Sequence, residues 1–124
     1  MPKNGGVAHW FPRIPDPRLA LPGDRDADVC IVGAGYTGLW TAYYLQRRDP
    51  SLRIAIVERE FAGFGASGRN GGWCSALLPM GFEAMASTHS AADATRMQRA
   101  MNATVDEVGA VAAREGIDCD FAKG

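Results

Sequence analysis

Gly33, Gly35 and Gly38 stand at the three glycine positions of G-x-G-x-x-G, directly after the apolar run Val29-Cys30-Ile31-Val32. Each glycine of that pattern has its own task. The first makes a tight turn out of a strand, the second lets backbone approach a pyrophosphate, and the third lets a helix pack close to the strand. A helix opening here aims unpaired N–H groups and the positive end of its dipole at phosphate oxygens. Glu58 falls twenty residues after Gly38, at the end of a second apolar run. Its carboxylate can there accept both hydrogens of a ribose diol. The chemistry these residue types suit is the binding of a dinucleotide.

Glu58 also bears on which dinucleotide. A carboxylate at that position repels a ribose 2′-phosphate and disfavours NADP, although the adjacent Arg59 offers a counter-charge. The plainer reading of Arg59 sets it against solvent or an adenine. A second Gly-rich stretch follows, with glycines at 63, 65, 68, 71 and 72. Glycines at this density lose too much backbone entropy on ordering to sustain a helix or strand. Such a loop is either disordered or wrapped closely around something. NAD-type folds have no need of a second backbone cradle at this point. A flavin dinucleotide is longer and presents its ribityl chain and ring edge to neighbouring loops.

The elements that must position these residues follow from periodicity. Val29–Val32 reads as a buried strand, short and unbroken as parallel central strands are. A helix is predicted from about Tyr36 to Arg48, where Arg47 and Arg48 suit the negative end of its dipole and Pro50 prevents continuation. Leu52 to Val57 is the second strand, completing a βαβ unit whose crossover should be right-handed. Ser90 opens a capping-box-like start with Asp93 three residues on. The helix then runs to about Glu115 and stops at Gly116. Met97, Met101, Val105 or Thr104, Val108 and Val111 or Ala112 share one face and read as core packing. Ile117 to Phe121 alternates like the start of another strand.

Upstream, residues 1–27 carry prolines at 2, 12, 15, 17 and 22 and read as an extended lead-in. Trp10, Phe11, Ile14 and Leu19 are too apolar for a free tail and suggest a segment lying along the body of a larger protein. The alternative is a disordered arm.

The length of 124 residues is that of one domain, and the formal net charge of −1 offers no electrostatic grip on nucleic acid or an anionic membrane. Cys30, Cys74 and Cys119 are far apart and odd in number, which argues against disulfides or a zinc site and for a reducing compartment. No apolar run has the length of a membrane span, and the start lacks a signal-peptide core, so a cytoplasmic location is expected. His9 and His89 are solitary and fit surface loops. Cys74 lies near the second Gly-rich loop and reads as a small buried thiol rather than a redox group. Trp40, Tyr43 and Tyr44 fall on the crossover helix, where packing is the default.

Three strings together resemble the FAD-dependent oxidoreductases of the D-amino acid oxidase type. They are Asp28-Val-Cys-Ile-Val-Gly-Ala-Gly-Tyr-Thr-Gly-Leu39, Val57-Glu58, and Gly65-Ala-Ser-Gly-Arg-Asn-Gly-Gly72. The last is especially similar to the gamma-glutamylputrescine oxidase branch, and the likeness extends from about Trp10 to the end. It implies an α/β fold: a Rossmann-like FAD-binding domain over residues 28–124, incomplete at its C-terminus, with a long amphipathic helix and the start of a substrate-domain strand. For the intact protein it implies oxidation of the C–N bond of a small amine or amino acid, with hydride passing to FAD and oxygen taking the electrons; the 124-residue chain alone is expected to be inactive. By the same resemblance Ser67, Arg69, Asn70, Gly71 and Gly72 join Gly33, Gly35, Gly38, Glu58 and Arg59 as cofactor-binding residues, with a loop-stabilising or solvated position as the alternative for Arg69. Some relatives tether FAD through a histidine in this loop. None lies between 59 and 88, Arg69 takes the corresponding place, and non-covalent FAD is the expectation. No catalytic or substrate-binding residue can be named. An NAD-dependent dehydrogenase and a non-catalytic truncated chain remain the alternatives.

Overall fold

A computed structural model describes residues 8–11, 13, 15, 16 and 18–123. In chain order these form β1 (Val29–Val32), α1 (Tyr36–Arg48), β2 (Ile54–Val57), a 3₁₀ turn (Ala66–Gly68), α2 (Phe82–Thr88) and α3 (Ala91–Arg114). They belong to two compact units, Met1–Gly71 and Gly72–Gly124.

The first unit holds the βαβ element. β1 and β2 pair in parallel, in register from Val29↔Ile54 to Val32↔Val57. A bidentate ion pair pins the entrance to both strands: Arg53 donates to Asp28 through Nη2 at 2.8 Å and Nε at 3.1 Å. The Arg53 backbone N–H reaches the same carboxylate at 2.9 Å. β2 is shorter than the expected Leu52–Val57. The residues before it are spent on a turn, in which Asp49 accepts from the backbone N–H and hydroxyl of Ser51 and Leu52 N–H bonds back to Asp49 O.

β1 was expected to be buried on both faces, and here the structure differs. Ile31 lies toward α1, but Val32 is 86% exposed and Cys30 is exposed. A parallel strand is buried when helices cover both sides of its sheet. Among the described residues one helix covers one side.

The second unit is a helical hairpin. α2 was not foreseen. Its seven residues include Ser87 and Thr88, whose hydroxyls turn back on Ala84 O, and its N-cap Gly81 offers no side-chain cap. A helix this short is sustained by packing, here against α3, rather than by propensity. α3 begins as expected: Ser90 Oγ accepts from Asp93 N–H at 3.0 Å and donates to Asp93 Oδ2 at 2.7 Å. Its covered face runs through Ala94, Gln98, Met101, Val105, Val108, Val111 and Ala112. Met97, assigned to that face from sequence, is 49% exposed; Gln98 takes the place, donating to Ala76 O and Asn102 Oδ1.

α3 ends in a Schellman motif. Gly116 has φ +64°, Ile117 N–H reaches Ala112 O at 2.8 Å, and Gly116 N–H reaches Ala113 O at 3.4 Å. Beyond it the expected strand at 117–121 is absent. A strand needs an extended backbone and a partner for its N–H and C=O groups, whereas Asp120 sits at φ +50°. Phe121 instead lays its ring on Gly109, where a β-carbon would come within 2.4 Å of Cε1.

Cys74 is exposed, like Cys30 and Cys119, so the small buried thiol expected there is corrected. Trp40, Tyr43 and Tyr44 pack on one another, with Trp40 and Tyr44 stacked at 5.6 Å. His9 and His89 are exposed, and Leu19 is 98% exposed; Ile14, grouped with it above, lies outside the described residues. Among the described residues no helix is long and apolar enough to cross a membrane.

Candidate cofactor site

Two of the three fingerprint glycines, Gly33 and Gly38, are required where they stand. Gly33 leaves β1 at φ +102°, a conformation L side chains rarely adopt, while its N–H still reaches Val57 O at 2.8 Å. A β-carbon on Gly38 would lie 2.1 Å from Gly33 O and 3.2 Å from Ile31 Cγ2, so α1 can approach β1 only with glycine there. Gly35 is the N-cap of α1 and provides no side-chain cap to it. That helix start therefore presents polar N–H groups and the positive end of a dipole.

The second Gly-rich loop closes on this turn. Ala34, buried at the centre, has both backbone groups engaged. Its N–H donates to Glu58 Oε2 at 2.9 Å, and its carbonyl accepts from Gly63 N–H at 2.9 Å. Ser67 Oγ accepts from Tyr36 N–H at 2.9 Å, and a β-carbon on Gly35 would meet that same oxygen at 2.9 Å. Glu58 Oε1 takes a further bond from Glu60 N–H at 3.1 Å. The Ala34 amide first, then that of Glu60, holds the Glu58 carboxyl below the usual range. A carboxylate has about four lone-pair sites, so these backbone bonds leave Glu58 room to accept from a ribose hydroxyl.

The remaining expected residues are placed as follows. Arg59 pairs with Glu60 at 3.1 Å, its side chain 86% exposed. Arg69 braces the loop: Nε donates to Phe64 O at 2.7 Å and the guanidinium lies 4.7 Å over the Phe64 ring. Asn70 Nδ2 donates to Ser67 O at 2.8 Å and to Tyr36 Oη at 3.2 Å. Gly71 has open space where a β-carbon would be, and Gly72, at φ +75°, begins the second unit. The loop is not wholly irregular, since Ala66–Gly68 forms one 3₁₀ turn closed by Gly68 N–H to Gly65 O.

Sequence reasoning passed over Ala34, Tyr36, Gly63, Phe61 and Phe64. Backbone partners leave no trace in residue type, but phenylalanines at 61 and 64 beside a run of glycines were a usable sign of a packed loop.

A helix start whose own N-cap residue leaves it uncovered beyond the first amide, a carboxylate with unused lone pairs, and glycines that keep the approach clear make a set of groups that fits an extended diphosphate with a ribose at one end. Fold and site together define an α/β protein with a parallel βαβ element and a Gly-rich turn at its first strand–helix junction. Residues 28–124 match the DAO family model, FAD dependent oxidoreductase, and the chain belongs to that family. The family implies a Rossmann-like fold. Gamma-glutamylputrescine oxidoreductase of Escherichia coli is 51% identical over 45 residues, 36% of this chain and 10% of that protein. Probable oxidoreductase OrdL of Rhizobium meliloti is 48% identical over 73 residues, 57% of this chain and 17% of that protein. Sarcosine oxidase subunit beta of the same organism is 40% identical over 67 residues, 52% and 15% of the respective chains. The chain thus spans from about a tenth to under a fifth of the length of these relatives. No solved structure matches it significantly.

Proposed function

We propose that this protein binds FAD without a covalent link and serves the oxidation of a C–N bond in a small amine or amino acid. In this reading residues 28–124 form part of the FAD-binding domain and residues 1–27 its lead-in. The observation that carries the cofactor reading is the closure of the second Gly-rich loop on the fingerprint turn, through Gly63 to Ala34 and Ser67 to Tyr36.

When bound, FAD supplies the hydride acceptor. The chain's own residues bind and orient it. The start of α1, with Gly33, Gly35 and Gly38, offers N–H groups and a dipole to the pyrophosphate. Glu58 offers its unused lone pairs to a ribose diol, and its charge disfavours a 2′-phosphate. Ser67, Arg69 and Asn70 shape the second loop, and Gly71 and Gly72 continue it with backbone that a cofactor can approach. The substrate class is supported by the names of two relatives, which carry the amines gamma-glutamylputrescine and sarcosine. Exposed free thiols at Cys30, Cys74 and Cys119 suit a reducing, cytoplasmic setting.

The test is spectroscopic. Protein supplied with FAD should retain a flavin spectrum through gel filtration and release the flavin on acid precipitation. Under anaerobic conditions primary or secondary amines should bleach it, simple alcohols should not, and readmitted oxygen should yield peroxide. Bleaching by alcohols or reduced nicotinamide, with no response to any amine, removes the C–N assignment and leaves FAD binding intact. Retention of NAD in place of FAD removes both.

A further inference from the structure

The lead-in holds the cofactor loop through two side chains with no assigned role. Trp10 Nε1 donates to Asn70 O at 2.6 Å, across sixty residues of chain. Phe11 meets Phe61 edge-on at 5.2 Å, and Phe61 meets Phe64 edge-on at 5.4 Å. Phe64 in turn carries the Arg69 guanidinium. The Phe11 ring also fills the space left by two glycines: β-carbons on Gly68 and Gly63 would lie 3.0 Å and 3.7 Å from its atoms. At Gly68 the loop's own backbone adds a second constraint, with Gly63 O at 2.2 Å from that position.

These contacts form a connected path. Trp10 fixes the carbonyl of Asn70; the Asn70 side chain fixes Ser67 O and Tyr36 Oη; Ser67 Oγ caps the first amide of α1. A loop with this many glycines has large freedom to lose on ordering. A site competent for only a fraction of the time binds with its affinity reduced by that fraction. We propose that Trp10 and Phe11 are positioning residues that keep residues 61–70 in the cofactor-receiving shape before FAD arrives. This rests on the FAD reading above and adds to it a role for the lead-in.

Two measurements on the full chain separate the inference from its premise. Amide hydrogen exchange of residues 63–70 is read without cofactor, and FAD affinity is read by fluorescence titration. Trp10→Phe removes the indole N–H and keeps a smaller aromatic ring, and Phe11→Leu keeps apolar bulk while losing the ring edge. Both should speed exchange in 63–70, leave β1 and α1 unchanged, and weaken FAD by about five- to tenfold, the scale of one lost neutral hydrogen bond or one lost aromatic edge contact. Leu19→Ala, in the same lead-in but 98% exposed, should move neither readout. Unchanged exchange in both variants overturns the positioning role, as does faster exchange with unchanged FAD affinity. An unsubstituted chain that takes up no FAD sinks the cofactor assignment, and the positioning role toward FAD falls with it.

Discussion

Glu58 Oε2 accepts a 2.9 Å hydrogen bond from the backbone N–H of Ala34, tying the end of β2 to the middle of the fingerprint turn. One carboxylate thus shapes the turn and retains lone pairs for a ligand. Replacing it with alanine removes the turn contact and, in the FAD reading proposed above, the ribose acceptor. FAD affinity should fall by about tenfold or more, the scale for a charged hydrogen-bond partner. Equilibrium titration of Glu58→Ala with FAD checks this, and an undiminished affinity takes Glu58 out of the site.

Two glycines of the candidate site should respond in opposite ways. A side chain on Gly35 meets Ser67 Oγ at 2.9 Å, while a β-carbon on Gly65 meets nothing within 4 Å. Gly65 also has an ordinary φ of −74°. Gly35→Val should abolish flavin retention on gel filtration, and Gly65→Ala should leave it intact. Equal retention in the two variants contradicts the packing described here.

Acid should unfasten the strand entrance at Asp28. Its hydrogen bonds from the Arg53 side chain and backbone push its pKa from the ordinary 3.8 down to about 2. A carboxyl whose pKa is lower folded than unfolded contributes stability above the unfolded value, and that contribution is lost as pH falls through the folded one. The window therefore runs from pH 3.8 down to about 2. Stability followed by circular dichroism should decline across it in the wild type, and Asp28→Asn should flatten that part of the curve. Identical slopes would show that the pair is not maintained in solution.

The cap of α3 is open to a stability measurement independent of any ligand. Ser90→Ala leaves the Asp93 N–H without its acceptor, at a cost of about 1 kcal/mol. Ser90→Asn should recover most of it. Denaturant midpoints of the three proteins provide the comparison.

The parts legible in the sequence are those governed by neighbours along the chain. The apolar run of β1, the dipole-matched end of α1 and the Ser90 cap depend on residues a few positions apart. The glycine spacing is local as well. What stayed hidden depends on contacts across many residues. The covered face of α3 passes through Gln98 because that side chain finds Ala76 O, a partner twenty-two residues away, and so Met97 was misassigned. Alternation at 117–121 resembled a strand, but alternation cannot reveal whether a partner strand exists. A loop-stabilising Arg69 was one of the readings the sequence left open; its partner Phe64 was out of reach, because an arginine beside glycines reads the same whether it faces a ligand or an aromatic ring.

The seat of Phe121 on Gly109 sets a rule for inherited change. A β-carbon at 109 would come within 2.4 Å of the ring, so position 109 can enlarge only if the Phe121 ring leaves this seat. Glycine inside a helix is disfavoured by about 1 kcal/mol against alanine, so drift toward alanine at 109 is always on offer. It is accepted at least cost in lineages where 121 has already become small. The two positions should therefore vary as a pair across descendants of this chain, glycine with a large ring and alanine with a small side chain, and the mixed combinations should be rare.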